Sequence, residues 1–165
     1  MYNKENIDCI KDKMLVRKHT IAVAESVTSG HLQAAISLAE KAAEFYQGGI
    51  TAYNIGQKCR HLNIEPIQAL SCNCISEKVA ADMALNVSNF FLSDWGIGVT
   101  GYATPDPENN VVQLFAIYSI TFRGKIIHTY KVLSETRSQL EVQVFYVNKI
   151  IEDLAGILCS ESGPK

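Results

Sequence analysis

A short apolar segment followed by a hydroxyl-rich turn constrains the fold of this chain most strongly. Residues Ile21 to Ala24 are apolar or small, which is typical of a short buried strand. They run into Glu25-Ser26-Val27-Thr28-Ser29-Gly30, where we expect the chain to turn into a helix. Such a turn exposes backbone N–H groups that stabilise anions and developing negative charge. It also lifts a serine hydroxyl out of the sheet edge, so Ser26 is a candidate nucleophile.

A serine attacks at neutral pH only if a base takes its proton, and a desolvated lysine is one such base. Lys58, in the segment GGITAYNIGQK, is the candidate. Two alternatives stay open from the residues alone. Ser26 also fits a helix N-cap or turn hydroxyl, and Lys58 also fits a solvated lysine on a helix face.

The order of apolar patterns predicts an α/β protein. An N-terminal helix and the strand of residues 21–24 are followed by a helix over about 30–45, a strand over 48–53 and a short helix over 54–62. Ser76 is a suitable N-cap for the next helix, and residues 95–100 form a strand. A hairpin over 111–133 and a closing helix that begins near Thr136 complete the pattern. This order predicts a three-layer α/β/α sandwich with a mixed, partly antiparallel sheet.

Composition excludes several classes of function. The net charge is −2, and no basic stripe suited to nucleic acid is present. No apolar run approaches the length of a membrane span, and no signal segment opens the chain. The five scattered cysteines predict reduced structural thiols in a cytoplasmic protein, and no histidine or cysteine spacing indicates a metal site. His31 retains a minor possibility of a catalytic role because it follows the serine turn.

Four motifs in this order resemble the CinA C-terminal domain family, whose enzymatic members are nicotinamide-nucleotide amidases. The family's A-E-S-C-T-G-G corresponds to residues 24–30, and its G-G-V-V-A-Y-S-N-E-x-K corresponds to residues 48–58 without a gap. Its V-S-E corresponds to residues 75–77 and its V-T-G to residues 99–101. The resemblance covers roughly residues 5–157 and implies the same architecture.

The resemblance also implies a reaction and a set of site residues. It implies an amidohydrolase that deamidates nicotinamide mononucleotide, or a related linear carboxamide, without a cofactor or metal. The implied catalytic residues are Ser26, Lys58 and Tyr53, where Tyr53 orients the substrate, bonds to Lys58 or simply packs at a strand end. The implied ligand-binding residues are Thr28, Ser29, Gly30, Thr100, Gly101 and Arg137.

This sequence departs from the family pattern at the loop that follows V-T-G. The family's glycine-rich I-A-G-P-x-G-G is replaced by residues 102–110, which include Pro105 and Pro107. Glycine lets backbone N–H groups approach a phosphate closely, whereas proline and side-chain carbons obstruct that approach. The alternative function is therefore a catalytically inactive domain that serves as a ligand-binding or interaction module.

We expect one domain over residues 1–160 and a disordered tail over residues 161–165. The expected partner is a small-molecule substrate of the pyridine-nucleotide class, with no nucleic acid and no membrane. A homodimer is also expected, because Phe90, Phe91 and Tyr146 exceed what the helix core faces need.

Overall fold

A mixed five-stranded sheet forms the centre of the computed structural model, which describes residues 1–135 and 138–160. The strand order is β2-β1-β3-β4-β5. Strand β1 pairs in parallel with β2 and β3, whereas β3–β4 and β4–β5 are antiparallel. The strands are β1 (Ile21–Glu25), β2 (Tyr46–Thr51), β3 (Trp95–Tyr102), β4 (Leu114–Phe122) and β5 (Lys125–Ser134).

Helices cover both faces of this sheet. Within the described residues they are α1 (Lys4–Arg17), α2 (His31–Ser37), α3 (Ile55–Leu62), α4 (Pro66–Ser71), α5 (Glu77–Phe91) and α6 (Gln139–Cys159). One apolar cluster joins the sheet to α1, α2 and α6, and a second cluster joins it to α3, α4 and α5. The predicted three-layer α/β/α sandwich with a mixed sheet is therefore confirmed.

Two glycines in β3 let α5 pack directly on the sheet backbone. A Cβ atom at Gly96 would lie 2.1 Å from the Ala84 carbonyl oxygen, and one at Gly98 would lie 2.3 Å from the Ala80 carbonyl oxygen. Because backbone atoms cannot yield at such distances, only glycine permits this approach. The contact fixes the first half of β3 against α5.

Successive strands are added to the sheet on opposite sides of β1. From β1 the chain passes through α2 to β2 on one side, and later returns to β3 on the other side. Ligands of open α/β sheets bind at such a switch point, outside the carboxyl ends of the strands. Ser26 follows β1 directly and therefore lies at this position.

One predicted helix boundary was wrong. Helix α2 ends at Ser37 rather than near residue 45, because Phe45 is buried and its carbonyl accepts a hydrogen bond from the N–H of Ile21 at the start of β1. Tertiary packing thus overrides the helix propensity of residues 38–44. Helix α6 begins at Gln139 with a capping box formed by Ser138 and Glu141, whereas the predicted start at Thr136 lies outside the described residues.

The expectation of five reduced cysteines was also wrong in this structure. Cys9 and Cys159 form a disulfide between α1 and the end of α6. The two positions are 150 residues apart, so only the side-by-side packing of the first and last helices brings them together. Cys59, Cys72 and Cys74 are free thiols.

Tyr146 does not contribute to an exposed apolar surface. It is a fully buried residue of α6, and its hydroxyl donates a hydrogen bond to the Tyr102 carbonyl over 3.0 Å. Phe90 is exposed and Phe91 is partly buried. Tyr146 is therefore removed from the expected dimer surface.

None of the helices described is long and apolar enough to cross a membrane. Within residues 1–135 and 138–160, no group of three His, Cys, Asp or Glu side chains is arranged to hold a metal ion. The expected tail, residues 161–165, lies outside the described residues.

Candidate active site

The structure brings Ser26 and Lys58 together at the carboxyl end of β1. Lys58 Nζ donates a hydrogen bond to Ser26 Oγ over 2.9 Å. Ser26 is 7% exposed and Lys58 is 2% exposed, so the pair is nearly closed to bulk water. Ser26 is not the N-cap of α2, because Gly30 holds that position. The two alternatives from the sequence, a capping serine and a solvated lysine, therefore do not describe these side chains.

Lys58 lies on α3, whose start is fixed by a side-chain cap. The Asn54 side chain accepts a hydrogen bond from the Gln57 N–H, and this cap starts the helix directly after β2. Lys58 and Leu62 then share the buried face of the helix. Burial lowers the pKa of the Lys58 ammonium below its ordinary value, and the nearby Cys74 thiol opposes this shift. Desolvation is the known means of turning a lysine into a base near neutral pH.

Glu25 organises the turn that carries Ser26. Its fully buried carboxylate accepts hydrogen bonds from the Thr28 hydroxyl at 2.6 Å and from the N–H groups of Gly30 at 3.2 Å, Leu32 at 3.0 Å and Gln33 at 2.8 Å. These donors include orphan N–H groups of the first turn of α2, where a negative charge is favoured. Glu25 therefore binds the turn to the helix and holds Ser26 in place.

The predicted ligand-binding residues of the turn do not line the cavity around Ser26. The Thr28 hydroxyl is buried and is used by Glu25. Ser29 points to solvent and its N–H donates to the Ser26 carbonyl, while the Gly30 N–H donates to Glu25. The Thr28 hydroxyl and the N–H groups of Ser29 and Gly30 thus have acceptors within the turn, and contact of these three residues with a ligand stays a prediction.

A cavity of about 430 Å³ opens beside Ser26 and Lys58. Its walls come from the turn after β1, the start of α3, the α4–α5 loop, the end of β3 and the first turn of α6. Thr100 and Gly101, two of the ligand-binding residues that the family resemblance implies, both line it. Thr100 Oγ1 donates to the Cys74 carbonyl over 2.9 Å, so it anchors the α4–α5 loop to the sheet. A Cβ atom at Gly101 would lie 2.3 Å from the Phe115 carbonyl oxygen, which excludes larger residues.

Tyr53 lines the mouth of the cavity and is 60% exposed. Among the described residues its hydroxyl has no hydrogen-bond partner, so it does not bond to Lys58. Asn73 and Tyr102 also line the cavity, and neither was predicted from the sequence as a site residue. Asn73 Nδ2 donates a hydrogen bond to the Tyr102 hydroxyl over 2.8 Å. This bond joins the α4–α5 loop to the end of β3 at the rim.

Two further residues near the site, Cys74 and Gln143, were not predicted from the sequence. Cys74 lines the cavity next to Lys58, and burial raises the pKa of its thiol. Asn73 and Cys74 both adopt left-handed backbone conformations, with φ of 49° and 59°. Gln143 of α6 donates a hydrogen bond to the Val27 carbonyl over 2.8 Å. The predicted phosphate-binding residue, Arg137, lies outside the described residues, and His31 bonds to the Tyr2 hydroxyl away from the cavity.

The arrangement is suited to nucleophilic chemistry. A hydroxyl lies within hydrogen-bonding distance of a desolvated amine, and both face a cavity of a size that holds a small molecule. A neutral Lys58 amine can accept the Ser26 proton in the direction opposite to the observed bond. Fold and site together define an α/β protein with a buried serine–lysine pair at the switch point of its sheet.

Comparison with known proteins identifies the family. The family model "CinA C-terminal domain" matches residues 4–153. The chain is 33% identical over 149 residues to a CinA-like protein of Prochlorococcus marinus (strain MIT 9215), a match that covers 88% of this chain and 35% of the relative. The chain thus spans about a third of the length of the curated relatives it matches. It belongs to the CinA C-terminal domain family.

Solved structures show the same fold. A competence or damage-inducible protein from Enterobacter asburiae superposes with a TM-score of 0.88 at 24% identity, covering 93% of this chain and 96% of that one. A competence damage-inducible protein A from Klebsiella pneumoniae gives a TM-score of 0.87 at 21% identity, covering 98% and 100%. At these identities the likeness shows the fold alone.

Proposed function

We propose that this protein is an amidohydrolase that cleaves a linear carboxamide through Ser26 and Lys58. The observation that carries the proposal is the 2.9 Å bond between the buried Lys58 amine and the Ser26 hydroxyl at the wall of a cavity. Among the described residues Lys58 has no carboxylate partner. A buried amine without a counter-charge is costly unless it loses its proton, and the neutral amine is the form that acts as a base.

The reaction proceeds in two halves. Ser26 Oγ adds to the carboxamide carbon while its proton moves to Lys58 Nζ, and the carbonyl π electrons move to oxygen as an oxyanion. The oxyanion collapses, the C–N bond breaks, and Lys58 returns the proton to the leaving nitrogen, which departs as ammonia. Water then adds to the acyl-Ser26 ester with Lys58 as its base, and the carboxylate is released with regeneration of the Ser26 hydroxyl.

Nicotinamide mononucleotide, or a related pyridine carboxamide, is the proposed substrate. This choice rests on the match of residues 24–30 and 48–58 to the family motifs. Tyr53 at the cavity mouth is proposed to stack on or orient the pyridine ring. Thr100 and Gly101 are proposed to contact the ligand, and Arg137 to bind its phosphate.

A binding module without catalysis is the second candidate, and the loop after β3 favours it. Residues 104–110 contain two prolines and a short 3₁₀-helix over Pro107–Asn109, and the Asp106–Val111 bridge closes the loop on itself. A self-closed loop of this kind offers fewer free N–H groups to a phosphate than a glycine loop. On this candidate the protein binds a pyridine nucleotide without turning it over.

Ammonia release from nicotinamide mononucleotide tests the proposal. The unmodified protein should release ammonia and nicotinic acid mononucleotide, and Ser26→Ala should abolish this activity while the ligand's Kd changes less than about threefold. Ser37→Ala is the matched control, because its hydroxyl bonds only to the Ala34 carbonyl on the exposed face of α2. If no pyridine carboxamide is hydrolysed and Ser26→Ala binds ligand as well as the unmodified protein, the binding-module candidate replaces the amidase.

We also propose a homodimer in the cytoplasm. Phe90 at 61% and Leu92 at 90% exposure form an apolar patch at the end of α5 that a second copy would cover. Light scattering that gives a monomer mass at high concentration would exclude the dimer. A cytoplasmic protein works with reduced thiols, so a reductant that opens the Cys9–Cys159 disulfide should leave the activity unchanged, and loss of activity would contradict the cytoplasmic assignment.

A further inference from the structure

An inventory of backbone donors around Ser26 singles out two N–H groups. Between Ser26 and Ala34, all of which the structure describes, most N–H groups have internal acceptors. Ser26 donates to Val99, Ser29 to Ser26, His31 to Thr28 and Ala34 to Gly30, and Glu25 accepts from Gly30, Leu32 and Gln33. The N–H groups of Val27 and Thr28 alone have no acceptor within this segment or elsewhere in the described residues.

The direction of the Val27 N–H follows from peptide planarity. In a trans peptide the N–H lies opposite to the C=O of the same unit. The Ser26 C=O accepts from the Ser29 N–H over 3.1 Å, so it points into the turn, and the Val27 N–H points out of the turn. Val27 and Ser26 both line the cavity. An unpaired donor directly after the nucleophile matches the position at which an oxyanion develops.

The next peptide is held from outside the turn. The Val27 C=O accepts a hydrogen bond from Gln143 Nε2 over 2.8 Å, although the two residues are 116 positions apart. Gln143 is 6% exposed on α6, and among the described residues the Val27 carbonyl is the hydrogen-bond partner of its side-chain NH₂ group. Both peptides that flank Val27 are thereby fixed, one by the turn and one by α6. A donor that is fixed before the reaction stabilises the transition state without a reorganisation cost.

We propose that the backbone N–H of Val27, which of the two unpaired donors is the one that lines the cavity, is the oxyanion site of this protein, and that Gln143 is the residue that positions it. This inference rests on the proposed amidohydrolase function and adds two components to it. Gln143 does not touch the substrate in this scheme. It acts through the Val27 carbonyl, so its loss should slow the chemical step and leave ligand binding intact.

Acylation of Ser26 by p-nitrophenyl acetate tests this inference separately from amide turnover. The ester transfers its acetyl group to Ser26 Oγ with release of p-nitrophenolate, through the same type of tetrahedral oxyanion. Stopped-flow absorbance gives the acylation rate and the half-saturating ester concentration, and mass spectrometry confirms acetyl-Ser26. Gln143→Met removes the donor at nearly constant volume, and Gln143→Glu serves as a second variant if the first does not fold. Gln113→Met is the matched control, because Gln113 also donates to backbone carbonyls but lies outside the cavity.

We expect Gln143→Met to slow acylation by about tenfold to a hundredfold, below the loss that follows removal of a whole oxyanion donor. The half-saturating ester concentration should change less than about twofold, and Gln113→Met should acylate at the wild-type rate. Wild-type acylation rates in folded Gln143 variants, or equal slowing in Gln113→Met, would overturn the inference. If Ser26→Ala releases p-nitrophenolate as fast as the unmodified protein, Ser26 is not the nucleophile and the proposed function itself fails.

Discussion

Replacement of Glu25 by glutamine should destabilise the protein far more than the loss of one surface charge. The Glu25 carboxylate is fully buried, with Oε2 accepting from Thr28, Gly30 and Leu32 and Oε1 accepting from Gln33. A glutamine can keep its oxygen at the three-donor position. Its NH₂ group then faces the Gln33 N–H, so one bond is lost and a donor remains unpaired.

The magnitude follows from these contacts. A buried N–H left without an acceptor costs about 1–3 kcal/mol, and the three remaining bonds weaken because a hydrogen bond to a charged group contributes about 1.5–3 kcal/mol against about 1 kcal/mol for a neutral one. The desolvation that the carboxylate no longer requires offsets part of this loss. We expect the free energy of unfolding to fall by about 3 kcal/mol, and the Tm to fall by roughly 6–12 °C for a chain of this size.

Urea denaturation of Glu25→Gln and Glu65→Gln provides the comparison. Glu65 caps α4 through the N–H groups of Ile67 and Gln68, but it is exposed, so its replacement should cost about 0.5–1 kcal/mol. The slope of the unfolding free energy against urea should be unchanged in both variants. A loss below about 1 kcal/mol at Glu25, or a loss no larger than that at Glu65, would refute the assignment of Glu25 as the anchor of the turn.

Three further predictions concern the base, the packing and the ligand. Because burial lowers the pKa of Lys58, the kcat/KM of the amidase should rise with pH and level off below pH 10.5. The unfolded state binds this proton more readily than the folded state, so the free energy of unfolding should also rise with pH between the folded pKa and 10.5. Lys58→Met should lose both pH dependences and about 10²–10⁴-fold in rate, as measured by the amidase assay and by urea denaturation. Gly98→Ala should lower the free energy of unfolding by about 3 kcal/mol in urea denaturation, since its Cβ would meet the Ala80 carbonyl at 2.3 Å, whereas Gly156→Ala, with open space around it, should stabilise the protein slightly. Calorimetric titration of Arg137→Ala should show weaker binding of nicotinamide mononucleotide and unchanged binding of nicotinamide.

Local patterns were sufficient to predict the parts of the site that follow from chain order. The apolar run of β1 and the turn after it determine where Ser26 emerges. Asn54 caps α3 through the Gln57 N–H, and one turn of helix then brings Lys58 back toward the sheet. Since β1 and β2 pair in parallel, their carboxyl ends meet at one edge, which places these two segments side by side. The positions of strands and helix caps depend on a few neighbouring residues, and for this reason the sequence was informative about them.

Contacts between distant segments could not be predicted from the sequence. Gln143 looks like an ordinary helical glutamine until α6 packs against the turn and its amide meets the Val27 carbonyl. The disulfide between Cys9 and Cys159 likewise depends on α1 lying against α6. Thr28 was predicted to contact the ligand from the resemblance to the family motif, but its hydroxyl points inward and donates a hydrogen bond to the buried Glu25 carboxylate. In the first two cases the interaction partner lies on a helix that is distant in sequence. In the third case the partner is close in sequence, but the sequence does not show that its carboxylate is buried.

The two buried ionisable side chains of this site, Glu25 and Lys58, differ in the partners that surround them. Glu25 accepts hydrogen bonds from four donors of the described residues, and these bonds tie the turn to α2. Lys58 has one neutral partner, Ser26 Oγ, and burial lowers its pKa. Its burial therefore lowers stability at neutral pH, whereas the bonds of Glu25 raise it. A fold that held Ser26 and Lys58 only as structural residues would gain stability from an apolar residue at position 58. A lysine at this position therefore lowers the free energy of unfolding, and the use of its neutral amine as a base explains why lysine is present there.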